Sequence, residues 1–503
     1  MRRQRGPTIT EGRIGHQSPR SLLAAREVET ETWLIVCDSN TGNSVTMAQS
    51  IPQPKGLPLL GNVFDVNPDN TWASLKTLIE NHGEICKITV LGHTLVFVGS
   101  VELAEELCDQ KRFRKFVGGP IVEIRAAVHD ALFTAYDHEP SWGIAHRIIA
   151  PTLTPAAVAN SFDEVRSTTQ ELLDKWAALG SNNKICLIDE LNRLNLEATT
   201  LTLYGKKLDC LDGPEHPMIQ AMEDSTSEAM KRPTRPKILN WLVHGRKFKK
   251  SIKEMRKYAA EMVEYRKENP SDRQDLLAAL MNGTDPESKV GLTESQVLDN
   301  IVSMPIGSST APCLVATAIY FLLKNPSCID QARAELDSIV GNRSLTHDLL
   351  DKLPYIQGIM RESLRLSFAA PGFNIEPIPS ESQAPVKLAG GKYEVAHNQA
   401  MIVVLAGVNR DPAVFTEPLK FDPERMMGAA FEKLPLGAQR WFGNGKRECI
   451  GKHYALQWNM GVLAMLIQNI DFAMVDPSYD LAQDGWFNLR PVGFNVTVKL
   501  RDH

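Results

Sequence analysis

What this sequence lacks narrows its class before any motif appears. Paired metal-type or redox cysteines are missing. The eight cysteines stand at 37, 86, 108, 186, 210, 313, 328 and 449, with no CxxC pair and no regular spacing. Neither a zinc module nor a disulfide framework is expected, and a reducing, cytoplasmic compartment fits better. Positive charge is not in excess. Lys and Arg number 55 against 60 Asp and Glu, a net charge of −5, which argues against nucleic acid as the main partner because a reader of phosphates is basic. No stretch approaches the ~18–20 consecutive apolar residues of a membrane span, so no transmembrane anchor is expected. No internal repeat is visible, which leaves solenoids and propellers aside.

What is present is an ordinary globular composition, 43% hydrophobic and 23% charged over 503 residues. Residues 1–46 differ from the rest. They are rich in Arg, Ser, Thr and Gly without a sustained apolar pattern, and read as a disordered leader or an extension of the gene, with Met47 as the start. Five arginines before residue 25 suit a transit peptide, but Glu27, Glu29 and Glu31 follow at once. From Ile51 a proline-rich stretch fixes an extended chain. Residues 86–98 alternate as a hairpin about Gly92-His93. Helical patterns dominate from about 101 to 360, for example 163–178, 249–268 and 328–340. Strand-like text returns near 373–405 with a turn at Gly390-Gly391, and 452–470 reads as a helix. The expected fold class is therefore mostly α with a smaller β part, in one domain over 47–503.

The chemistry concentrates in residues 442–451, Phe-Gly-Asn-Gly-Lys-Arg-Glu-Cys-Ile-Gly. One cysteine, Cys449, sits in a glycine-rich loop that runs into a helical pattern. A lone thiolate facing a planar cofactor is a haem arrangement. Phe442, Gly445, Arg447, Cys449 and Gly451 meet every fixed position of F-x-x-G-x-R-x-C-x-G, and this resembles the haem-binding loop of the cytochrome P450 family. The resemblance implies a single haem domain of the cytochrome P450 fold, with haem b ligated by Cys449. Gly445 and Gly451 are expected to let the backbone pass close to the ring, Phe442 to shield the sulfur, and Arg447 to meet a propionate. Trp142 and His146, at helical i, i+4 spacing, match family residues that bond the propionates, and Phe133 matches a phenyl ring over the haem face. Glu362-Ser-Leu-Arg365 and Phe421-Asp-Pro-Glu-Arg425 match a buried triad, Glu362, Arg365 and Arg425, that locks the thiolate loop.

Segments such as Gln274-Asp-Leu-Leu277 and Tyr320-Phe-Leu-Leu-Lys-Asn-Pro326 narrow the resemblance to the self-sufficient fatty-acid hydroxylase branch, whose haem domain is fused to a flavin reductase. This chain ends at His503, so a separate NADPH-dependent cytochrome P450 reductase is the expected partner, with Lys446, Arg447 and Lys452 as a basic docking face.

Two departures bear on function. The distal helix reads Ile306-Gly307-Ser308-Ser309-Thr310-Ala311 where the family carries A-G-x-[DE]-T-[TS]. Gly307 would leave room for oxygen and Thr310 could bond a distal ligand, but Ser309 stands where a carboxylate delivers protons. Pro305 and Pro312 should kink this helix. At the channel mouth, His93 and Phe97 replace the Arg and Tyr that hold a fatty-acid carboxylate in relatives. The expectation is a monooxygenase that uses O2 on a small apolar organic substrate, a polyketide-like or lipid-like intermediate of secondary metabolism. The alternatives are a haem-thiolate isomerase or dehydratase that needs neither O2 nor NADPH, and a non-catalytic haem binder.

Overall fold

Two hydrophobic cores, one helical and one built on a sheet, organise this chain. The computed structural model describes residues 48–501 apart from 91, 181–182 and 486. The leader expected at 1–46 lies outside the described residues.

The sheet core forms where the sequence alternates. Ile85–Val90 and His93–Val98 pair antiparallel, Cys86 opposite Phe97, and the reversal is taken by Gly92 at a φ of 84°, a conformation a Cβ disfavours. Met401–Val404 adds in parallel beside His93–Val98. Gly372–Pro377 and then Phe113–Lys115 extend the sheet antiparallel. Ile85, Val98 and Val403 are fully buried in its core. The expected hairpin and late strands therefore belong to one five-stranded sheet, joined by pairs such as Val96 and Met401 that lie just over 300 residues apart in sequence.

The helical core follows from 3.6-residue periodicity. Phe162–Leu179 turns Val165, Leu172 and Trp176 inward and leaves its acidic residues outside. Lys452–Asn469 is apolar on nearly all sides and is buried on nearly all sides. One further helical run, 294–324, has 31 residues and is apolar enough to cross a membrane by length and composition. This corrects the expectation that no such stretch exists. Two thirds of its most apolar window is buried inside the fold, and a helix through a protein core needs the same composition as one through lipid. Thr293 and Gln296 start it with a reciprocal capping box.

Trp441 packs against both cores. A cavity of about 1100 Å³ lies along their seam, lined by Phe97, Leu107 and Phe113 from the sheet side and Ile124, Val128 and Leu314 from the helical side.

Candidate active site

Cys449 is presented to this cavity by a loop that hydrogen bonds close. The Cys449 N–H donates to the Phe442 carbonyl at 2.8 Å, Glu448 N–H to Gly445 at 3.0 Å, and Lys452 N–H to Cys449 at 3.2 Å. The sulfur opens into the cavity, so the residue has exposed surface although protein encloses it on its other sides. That enclosure raises the thiol pKa, while the Gly451 N–H, Lys115 and Lys452 act the other way. The glycines divide their work differently from expectation. Gly443, at φ 80°, lines the cavity. Gly445, at φ 62°, does not line it, and a Cβ there would meet the Gln110 side chain at 2.2 Å. Gly451 has an ordinary φ of −84°; an added Cβ would come near only Cys449 Sγ, at 3.9 Å.

One end of the cavity is cationic. Arg447 is nearly buried, donates to Asp137 at 3.0 Å and to the Ala135 carbonyl at 2.9 Å, and lies 5.1 Å from the Trp142 ring centroid. Trp142 stacks on His146 with centroids 5.1 Å apart. Burial, then Arg147 and Arg447, lower the His146 pKa, so its imidazole is neutral near pH 7. Lys446 reaches Asp137 at 2.9 Å. Lys115, which the sequence reading missed, donates to the Phe133 carbonyl at 2.7 Å and sits over that ring at 4.0 Å. Burial and the neighbouring Arg447 drive its ammonium down to about 7. Arg447 and Lys446 thus share one carboxylate, Asp137, with Lys115 close by, an excess of positive charge that suits the anionic propionates of haem. With Cys449 as a thiolate on the wall and a roomy apolar interior, the residues present fit the cofactor expected from the sequence. The proposed basic docking face fits less well. Arg447 points inward, and Lys452 is engaged by Glu448 at 2.9 Å.

The distal helix is interrupted where it meets the cavity. Glu294–Ser308 ends and Thr310–Lys324 begins at Ser309. Pro312 lacks the N–H that the Ser308 carbonyl needs, so the break falls where Pro312 becomes a first-turn residue of a new helix. Gly307, Ser308 and Thr310 line the cavity. No atom lies within 4 Å of a Cβ built on Gly307, and the Thr310 hydroxyl donates to the Gly307 carbonyl at 3.1 Å. Ser309 departs from expectation. Its hydroxyl donates to Ile306 at 2.8 Å and its carbonyl accepts from Asn488 at 2.9 Å; it lines a separate cavity of about 150 Å³ with Cys313 and Arg490. One residue along a helix rotates the side chain by about 100°, so Ser308, held by Asn195 at 3.1 Å, faces the main cavity instead.

Glu362, Arg365 and Arg425 lie outside the cavity and brace the chain that leads to it. Glu362 and Arg365 are fully buried and paired by two bonds of 2.7 and 2.8 Å. The remaining Arg365 donors reach the carbonyls of Asn409, Pro418 and Lys420, so all five are used. Glu362 also accepts from the Asp422 N–H at 3.0 Å. Burial raises its pKa in spite of Arg365. Arg425 Nε stands 3.3 Å from Glu362 without hydrogen-bond geometry, an ion pair of position only.

His93, Phe97 and Phe133 also line the cavity wall, Phe133 beside Lys115. Phe133 meets Phe487 edge to face at 5.9 Å. Arg114 also lines it, but Glu376 neutralises that charge at 2.7 Å.

Comparison with known proteins agrees with this geometry. Residues 51–498 match the family model described as Cytochrome P450. The chain is 37% identical over 458 residues to a bifunctional cytochrome P450/NADPH–P450 reductase of Aspergillus oryzae, covering 90% of this chain and 42% of that protein. It is 35% identical to a self-sufficient cytochrome P450 monooxygenase of Exserohilum turcicum, with 90% and 42% covered. A bifunctional cytochrome P450/NADPH–P450 reductase of Acremonium egyptiacum is also 35% identical, with 91% and 44% covered. The chain spans less than half the length of these relatives, and the match covers their haem part.

Proposed function

The chain belongs to the cytochrome P450 family, which implies a haem-thiolate cofactor, and on that premise we propose that it is a monooxygenase that inserts one oxygen atom of O2 into a neutral, apolar organic substrate. A reductase drawing on NADPH supplies the electrons. The observation that carries this reading is one mostly apolar cavity lined both by Cys449 and by Gly307 and Thr310 of the interrupted helix.

Haem held by Cys449 supplies the redox chemistry of oxygen insertion. The chain's own residues do the rest. Trp142, Lys115 and Arg447 would hold the propionate end, with His146 stacked on Trp142. The Gly451 N–H favours negative charge on sulfur. Gly307, with open space where a Cβ would stand, would leave room in the cavity for oxygen. The Thr310 hydroxyl, which now donates to a carbonyl, is free to turn and hold a proton at the reacting oxygen. Ser308 and Asn195 form a polar pair beside it that suits a bound water. Phe97 and Phe133 contribute apolar wall to the cavity. With Arg114 neutralised and His93 and Phe97 at the mouth, a carboxylate gains no free cation there, which favours a neutral ligand such as a polyketide-like or lipid-like intermediate.

The test is product formation with NADPH, O2 and an added reductase on paired substrates, neutral compounds against fatty acids of matched length. Neutral compounds are expected to turn over faster, and Thr310→Ala to lower product per NADPH consumed by tenfold or more. Preference for the acids would overturn the substrate class. A second reading is favoured by one observation. The acidic residues lining the cavity, Asp137 and Glu448, both lie at the Cys449 end, so the distal wall offers no carboxylate for proton delivery among the described residues. Turnover that persists without NADPH and O2 would select an isomerase or dehydratase.

A further inference from the structure

Helix Pro120–Val128 ends on His129, whose backbone holds a φ of 40° and a ψ of −117°, a region that glycine tolerates and a Cβ disfavours. Strain of this kind persists only where the surroundings impose it. Here they do. The His129 N–H donates to the Arg125 carbonyl at 2.8 Å, and its carbonyl accepts from the Thr134 hydroxyl at 2.7 Å. Its Nδ1 stands 3.1 Å from both carboxylate oxygens of Asp299. The segment that begins at this strained residue, 129–134, carries Phe133 into the cavity wall.

The distal helix Glu294–Ser308 grips that segment from one face. Gln296 Nε2 donates to Asp130 at 3.2 Å, Asp299 meets His129, and the Asn300 side-chain oxygen accepts the Leu132 N–H at 3.2 Å. The spacing of 296, 299 and 300 is i, i+3 and i+4, which puts the three on one side of the helix. Further along the same side, Ser303, Met304 and Gly307 line the cavity. Asp299 and Asn300 are each only 1% exposed. A buried carboxylate or amide is costly unless it is paired, and an apolar side chain would pack there without that cost. Asp299 is paired with both His129 and Arg256. Asn300 donates to the Gln296 carbonyl at 2.8 Å, which leaves its oxygen for Leu132. The next residue, Phe133, has Lys115 over its ring at 4.0 Å and Phe487 edge to face at 5.9 Å.

We propose that Asn300 and Asp299 are positioning residues for specificity: through Leu132 and His129 they hold the Phe133 ring at one depth in the cavity, and so set how large a ligand fits and which part of it meets the reacting centre. Neither touches the ligand. The strained turn at His129 and the amide bond to Leu132 fix the backbone on both sides of the loop, and the ring between Lys115 and Phe487 follows. The inference deepens the reading of this cavity as the haem and substrate site and rests on it.

The test titrates imidazole and phenylimidazole into the full chain loaded with haem and reads the haem absorption shift. Phe133→Ala is expected to raise the preference for phenylimidazole over imidazole tenfold or more. Asn300→Leu keeps the size and removes the acceptor, and His129→Gly releases both the strain and the tether. Each should move that preference in the same direction by about threefold or more, and neither should add to Phe133→Ala, as expected for residues that act through one ring. Hydrogen exchange at the Leu132 amide should quicken tenfold or more in Asn300→Leu, with the amides of Phe162–Leu179 unchanged. With NADPH, O2 and reductase, the distribution of product among substrate positions should shift in both variants. Parent-like azole preference in Asn300→Leu and His129→Gly would overturn the proposal, above all with a lowered melting midpoint, which would make the bonds merely structural. Effects that add fully to Phe133→Ala, or a Leu132 amide that exchanges as in the parent, would overturn it as well. The azole and exchange measurements need no turnover, so they decide the role of Asn300 separately from the oxygen-insertion reading.

Discussion

Lys115 holds its ammonium against the Phe133 carbonyl and ring, enclosed and close to Arg447. The folded state keeps it near 7, below the 10.5 of an unperturbed lysine. The unfolded chain therefore binds the extra proton between those values, and the stability of haem-free protein should rise with pH across that window. Below about 7 the burial penalty is complete. Lys115→Met removes it, so haem-free Lys115→Met should be more stable than the parent at pH 6 and lack this rise, measured by urea midpoints from pH 6 to 9. The same variant should retain haem less well, because one of three cations at the propionate end is gone. Glu362 tests the bracing residues. Glu362→Ala leaves the buried Arg365 without two of its five acceptors, at a cost of about 3–5 kcal/mol, and should prevent haem incorporation. A purified Glu362→Ala protein with normal haem content would refute that role. Residues in contiguous motifs were legible in the sequence: Cys449, Arg447 and the Glu362–Arg365 pair each stand in a local pattern. Lys115 was not. It lies on a three-residue strand, Phe113–Lys115, too short to read by alternation and held in place by Gly372–Pro377 some 260 residues away.

Among elements, the distal helix is where sequence and structure differ most. Two prolines announced a kink, and the helix breaks at Ser309. Which side chains face inward after such a break is set by tertiary contacts, here Asn488 on Ser309 and Asn195 on Ser308, so the motif alignment could name the acid position but not its orientation. Gly307 gives the element-scale prediction. Replacing a helical glycine by alanine stabilises by about 0.5–1 kcal/mol, and the open space around Gly307 accepts the methyl group without strain. Gly307→Ala should therefore raise the melting midpoint while weakening substrate-induced spectral shifts, because the methyl projects toward the cavity. A variant that loses stability would mean that the helix packs there more tightly than this geometry allows. The hairpin, the helices 162–179, 245–268 and 326–339, and the helix after Cys449 follow directly from periodicity. Sheet membership does not, since period two marks a strand without naming its partner.

The whole molecule brings its two cores together around a large cavity, and that arrangement makes the cofactor part of the stability. A ligand bound only by the folded state stabilises it by about 2.7 kcal/mol at a free concentration of 100 times Kd, so haem-loaded protein should unfold at clearly higher urea than haem-free protein. Composition had suggested a soluble helical domain without an anchor, and the 294–324 run shows why composition alone misleads at this scale: a core helix and a membrane helix read alike. The central claim is that Cys449 ligates haem as a thiolate inside this cavity. The measurement that tests it most directly is the carbon-monoxide difference spectrum of the reduced, purified protein. A Soret band near ~450 nm is the result this account predicts, as expected for a haem with an axial thiolate. A band near ~420 nm, or no haem at all, would contradict it, and the oxygen-insertion reading built on Cys449 would fall with it.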